Sequence, residues 1–213
     1  GQIFYSKLHF DLSKQTAEDN ASEYYTVQEV MKKYNLTRDS VYGILQFHEI
    51  KREKKGRFVR FLKVEFDHIM GIDDFLKAFP VPVYAGEDEL PVIEDDRLNV
   101  SCMYGPKYAF HGAQPVRDGQ VIECAGIEVD VLHTPGHTVG GCCYYLPKEH
   151  RLFSGDTLFC ASIRRTDLPT GSSSQLVRSV QEKIMTLPDD TKIYPGHMEE
   201  TSVQFEKEHN PFI

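Results

Sequence analysis

Three short strand-and-loop units in the C-terminal two thirds constrain this chain more than any other feature. Ile127, Val129 and Val131 alternate with Glu128, Asp130 and Leu132. That period of two predicts a strand with at least one buried face. It runs into Thr134-Pro135-Gly136-His137-Thr138, where Pro-Gly ends the strand and leaves His137 on a tight loop. Gly141 to Leu146 predicts another strand, residues 147–151 its turn, and Leu152-Phe153-Ser154 a third strand that delivers Asp156 through Gly155. Lys192-Ile193-Tyr194 repeats the pattern, with Pro195-Gly196-His197 as the loop after it. Loops at strand ends are where rigid scaffolds usually carry chemistry. Imidazole and carboxylate together suit a borderline cation such as zinc, or iron or manganese. A single Pro-Gly-His is most often only a turn; three such units in one chain are a stronger signal.

Those residues carry a resemblance. His133 to Gly141 (HTPGHTVGG), Leu152 to Phe159 (LFSGDTLF) and Ile193 to His197 (IYPGH), with Arg165-Thr166-Asp167-Leu168-Pro169 after the Asp loop, resemble the metallo-β-lactamase superfamily. The likeness is strongest to its small glyoxalase-II-like hydrolases and covers roughly residues 66–213. It implies an α/β fold, the αββα sandwich, with His137 on one metal, Asp156 bridging two and His197 on the second. It also implies a water activated by one or two zinc ions, with iron or manganese as alternatives, attacking a thioester or related ester.

A Thr-His-x-His-x-Asp-His signature belongs to the same resemblance. The aligned stretch here is Leu62-Lys63-Val64-Glu65-Phe66-Asp67-His68. Asp67 and His68 match, and the resemblance gives Asp67 a catalytic role as metal ligand and orienter of water. Lys63 and Glu65 stand where the first two His belong, leaving Glu65 as a substitute oxygen ligand. The segments that normally build most of the first sheet are missing before residue 62. Three explanations stay open: a fusion joined near residues 65–71, which is favoured, a very divergent first half, or an N-terminal part foreign to the rest.

Residues 1–22 are polar and aperiodic, an irregular arm; residues 23–65 have another character, and 66–213 form the hydrolase-like region. Thr26 with Glu29 is a capping box that opens a helix carrying Val27, Val30 and Met31. Asn35-Leu36-Thr37 breaks it, and a second helix runs from Arg38 to about Phe47 with Val41, Ile44 and Leu45 on its apolar side. Residues 50–52, a Lys54-Lys55-Gly56 turn and residues 57–62 predict a hairpin. The succession resembles the small winged helix-turn-helix of excisionase and MerR-type DNA-binding domains. That resemblance implies base contacts from Arg38, Tyr42 and Gln46 and phosphate contacts from Lys51, Arg52, Lys54, Lys55 and Arg57. The plainer reading is a solvated charged face.

Charge follows the same division. Residues 1–65 carry 12 Lys and Arg against 9 Asp and Glu, and residues 66–213 carry 12 against 23, net charges of +3 and −11. Five cysteines, two of them adjacent, do not form a disulfide framework. With no bilayer-spanning run and no signal-peptide pattern, the expectation is a cytoplasmic protein without membrane contact. Two function classes result: a metal-dependent thioester or ester hydrolase, or a DNA- or partner-binding protein carrying a degenerate, inactive hydrolase domain.

Overall fold

The structure, a computed structural model, describes residues 24–34, 36–47, 52–55, 58–62, 76, 80–104, 107–124, 126–196 and 198–213. The chain divides into two compact units, one drawn from residues 11–82 and 99–109, the other containing 83–98 and 110–213.

The first unit starts with β1 (Tyr24–Thr26), α1 (Val27–Tyr34) and α2 (Arg38–Phe47), then β2 (Glu53–Lys55) and β3 (Phe58–Leu62). The capping box forms as expected: Glu29 N donates to Thr26 Oγ1 at 3.4 Å, and Thr26 N donates to the Glu29 carboxylate at 2.7 Å. Thr37 does the same for α2, its hydroxyl accepting from Ser40 N at 3.1 Å. Helical spacing turns Val27, Val30, Leu36, Val41, Ile44 and Leu45 into one core cluster. The three strands form an antiparallel sheet in the order β1-β3-β2. Its hairpin differs from expectation: Lys55 pairs with Phe58, so Lys54 and Lys55 are strand residues. Two residues suffice to join antiparallel strands, so the Lys pair is not needed in the turn.

The second unit contains β4 (Tyr84–Gly86), β5 (Gln114–Val116), β6 (Val121–Cys124), β7 (Ile127–His133), β8 (Cys142–Leu146) and β9 (Arg151–Gly155). After a small ladder of β10 (Leu158–Phe159) and β11 (Ser162–Ile163) come α3 (Ser173–Ser179), β12 (Lys192–Pro195), β13 (Thr201–Ser202) and α4 (Val203–His209). Six strands share one sheet in the order β13-β12-β9-β8-β7-β6. Only the β9–β12 pair in it is parallel, because α3 lies between them in sequence and supplies the crossover such a pair requires. β4 and β5 form a separate parallel pair.

β8 is buried along its whole length. Cys143 and Tyr145 join Leu152, Leu158, Val180, Ile184, Ile193 and Val203 on one side. Cys142, Tyr144 and Leu146 join Val116, Ile122, Val129 and Val131 on the other. A strand covered on both faces reads as a continuous apolar run, which is what Cys142 to Leu146 shows. The stripe Leu176, Val180, Ile184 is core, continued past α3 by a π-helical turn over Val180–Ile184. Its N-cap is Ser172, which is extended and accepts from Gln175 N at 3.4 Å. Among the described residues no helix is long and apolar enough to cross a membrane.

Candidate metal centre

Strand ends and two glycines build the site. The loop after β7 closes on itself through Thr134 N to Gly141 O at 2.8 Å and Gly136 N to Thr138 O at 2.9 Å. Gly136 has φ +139°, and a Cβ there would lie 2.3 Å from Leu176 N, so the backbone is pressed against α3 as only glycine allows. Ser172 N donates to Gly136 O and Ser179 Oγ to Pro135 O, both at 2.8 Å, fixing the loop to that helix. β9 ends at Gly155, whose φ of +50° turns the chain to present Asp156. Gly196 N donates to Gly155 O at 2.7 Å, bringing the loop after β12 alongside. The buried Thr134 and Thr157 hydroxyls, 3.1 Å apart, tie the His137 and Asp156 loops together.

This scaffold places His137 Nε2 3.6 Å from Asp156 Oδ2, with side chains only 9% and 20% exposed. His137 Nδ1 lies 2.8 Å from the Arg165 carbonyl, which can only accept, so Nδ1 carries the proton and the Nε2 lone pair faces the carboxylate. Burial pushes the imidazole below its ordinary pKa, outweighing the opposing pull of Asp156 and of the Arg165 bond. A neutral imidazole, oriented by a bond at its other nitrogen, is the form in which His ligates a metal. An ion about 2.1 Å from each donor fits between two atoms at this separation. The pair therefore suits the cation that the sequence implies.

Arg165 also holds Asp167 through two bonds of 2.5 and 2.6 Å, and that pairing keeps the Asp167 carboxyl down at about 2. Arg164, which the sequence reading passed over, lies beside the site: its side chain is 2% exposed and its Nε is 3.9 Å from Asp156 Oδ2. Its guanidinium sits 5.5 Å from the centre of the Phe159 ring. The only sequence signal was a second cation directly before Arg165, and nothing along the chain says which Arg of such a doublet turns inward.

Of the residues expected at the centre, His137 and Asp156 come together, while Glu65, Asp67, His68 and His197 lie outside the described residues. Among the described residues no three His, Cys, Asp or Glu form a metal-holding group. His133 Nε2 bonds the Val139 carbonyl at 3.0 Å, and exposed His111 lies 3.7 Å from Glu94. Of the expected nucleic-acid contacts, Arg38, Gln46, Arg52 and Lys54 are exposed and Tyr42 is half-buried, with the Arg38 guanidinium 5.7 Å from its ring centre. Lys51 and Arg57 lie outside the described residues, as does the Lys55 side chain.

Residues 65–197 match the model of the metallo-beta-lactamase superfamily. The chain belongs to that superfamily. It is 35% identical over 150 residues to the probable metallo-hydrolase YqgX of Bacillus subtilis (strain 168), covering 70% of this chain and 71% of the relative. It resembles the crystal structure of TTHA1623 in a di-iron-bound form with 32% identity and a TM-score of 0.58, over 70% of this chain and 73% of that one. A shorter match, 36% identical over 97 residues and 46% of each chain, is to the hydroxyacylglutathione hydrolase GloC of Haemophilus influenzae (strain ATCC 51907 / DSM 11121 / KW20 / Rd). β7 and β9 are the strands whose ends bring His137 and Asp156 to face each other.

Proposed function

We propose that this superfamily member is a metal-dependent hydrolase of thioesters of the acyl-glutathione type. The observation that carries the proposal is the facing pair of His137 Nε2 and Asp156 Oδ2, held from behind by the Arg165 carbonyl. Zinc, or iron or manganese, in one or two ions, suits these donors, and the sequence supplies Asp67, His68 and His197 as further ligands with Glu65 in reserve. A metal held by His137 and Asp156 would supply polarisation of a carbonyl and a water made nucleophilic near neutral pH. The chain's own contribution is to hold His137 neutral and aimed, to fix Asp156 through the Gly155 turn, and to offer Asp67 as the orienter of the attacking water. The GloC likeness supports the thioester over other esters.

The test is release of free thiol from S-lactoylglutathione by protein loaded with each metal in turn, compared with His137→Ala. Thiol release that follows metal loading and disappears in the variant is the expected result. Metal binding at His137 without thiol release from any acyl-glutathione would sink the thioester reading.

A second reading concerns the N-terminal unit alone. We propose that it binds duplex DNA, because two helices and a β1-β3-β2 sheet leave Arg38 and Gln46 on the open side of α2 and Arg52 and Lys54 exposed beside the hairpin. Phosphate contacts make binding steeply salt-dependent. Retention on a DNA column should therefore weaken sharply between low and physiological salt, and reversing Arg52 and Lys54 to Glu should abolish it. Retention insensitive to salt would leave only a solvated charged face.

A further inference from the structure

Asp156 presents its two oxygens to different surroundings. Oδ1 lies toward Gly196, 2.9 Å from where a Cβ at that position would stand. Oδ2 faces both His137 Nε2 at 3.6 Å and Arg164 Nε at 3.9 Å. The Arg164 side chain carries a guanidinium charge and is almost wholly shielded from solvent. Among the described residues the Asp156 carboxylate is an opposite charge beside it, 3.9 Å from Nε and beyond hydrogen-bond distance. The Phe159 ring under the guanidinium adds a favourable face. The backbone ties the two groups together, since the next residue's carbonyl is the one that orients His137.

We infer that Arg164 is a resident placeholder cation: it holds Asp156 in ligand geometry when no metal is bound, and it weakens metal binding at the His137–Asp156 pair. The inference rests on the hydrolase reading above and deepens it, giving the centre a built-in control on affinity. Two opposing effects decide the sign. Orienting a ligand raises metal affinity about 10- to 100-fold in known sites. Repulsion between a permanent guanidinium charge and a dication on the same carboxylate oxygen acts the other way. At separations of a few ångströms in a shielded pocket it is the larger effect. Arg164 is thus a positioning residue for the empty centre and a competitor for the filled one.

The experiment compares wild-type protein with Arg164→Met, Arg164→Gln and Arg164→Lys in two measurements that do not use activity. Zinc affinity is read by competition with a chromophoric chelator, and metal-free stability by urea unfolding in EDTA. The inference expects opposite signs: Met and Gln lower the stability of the metal-free protein yet bind zinc at least about tenfold more tightly, while Lys, which keeps the charge, stays near wild type in both. Gln keeps polar atoms in the pocket, so the comparison survives if Met fails to fold. Affinity that is unchanged or falls together with stability in Met and Gln would make Arg164 an ordinary packing residue and leave the hydrolase reading standing. No zinc binding in any of the four proteins would overturn both.

Discussion

The two units of this chain solve the same burial problem with different means. In residues 24–62 the core is five buried side chains from two helices with Leu36 between them, and both helix starts are closed by hydroxyls within three residues of their partners. In the sheet unit each core cluster draws on strands and helices far apart in sequence, such as Cys143 with Val203 or Val116 with Leu146. Local closure makes a small module that displays charge on a helix and a hairpin. Non-local closure brings residues 137, 156, 164 and 196 to one place, which no local segment could do. The charge changes sign along the chain as well, from +3 for residues 1–65 to −11 for 66–213.

The sharpest test of that contrast is chemical. His137→Ala should cost on the order of a thousandfold in kcat/KM on a thioester, since metal polarisation is worth several kcal/mol. Leu45→Ala, in the helical core, should lower kcat/KM far less. Core truncations come next. Leu152→Ala and Leu45→Ala each remove a fully buried side chain and should cost about 2–5 kcal/mol. Hydrogen exchange should localise the losses: faster exchange in β7 to β9 for the first, in α1 and α2 for the second. If Leu45→Ala loosened the sheet strands as much as its own helices, the two-unit description would fail.

Smaller effects sharpen the picture. Thr26→Ala removes the capping box and should destabilise the helical unit by about 1 kcal/mol, seen as a lower urea midpoint with little change in slope. Asp118 offers a pH test in the sheet unit. Burial alone would raise its pKa, but bonds from Lys183 Nζ at 2.6 Å and His133 N at 2.9 Å prevail and hold it below the usual carboxylate range. A depressed carboxyl stabilises the fold above its unfolded pKa near 4, and that gain is lost as pH falls through the lower folded value. Asp118→Asn should cost about 0.5 kcal/mol at pH 7, a figure discounted for exposure, and show a flatter stability profile below about pH 4.

The legible parts of the sequence were those with short-range causes. α2 spans Arg38–Phe47 as its apolar spacing predicts, and β7, β8, β9 and β12 fall on the predicted runs. His137 and Asp156 were visible because each follows a strand through a Pro-Gly or Gly turn. What escaped was set by three-dimensional pairing. The hairpin register depends on which residue Lys55 faces across the ladder. Arg164 became part of the site only because the β10–β11 ladder folds the chain back toward Asp156, information that residue types alone do not contain.

The adjacent thiols of β8 have a consequence for redox chemistry. Neighbours in a strand point to opposite faces, so Cys142 and Cys143 sit in separate clusters and cannot approach as a disulfide requires. Burial pushes their pKa values up to about 12 and about 11, so about one in ten thousand or fewer is ionised at neutral pH. Oxidants and alkylating agents in solution meet exposed Cys102 and Cys124 instead. Cys142 and Cys143 become reactive only when the sheet opens, so their labelling rate is a clock for the unfolding of the strand at its centre.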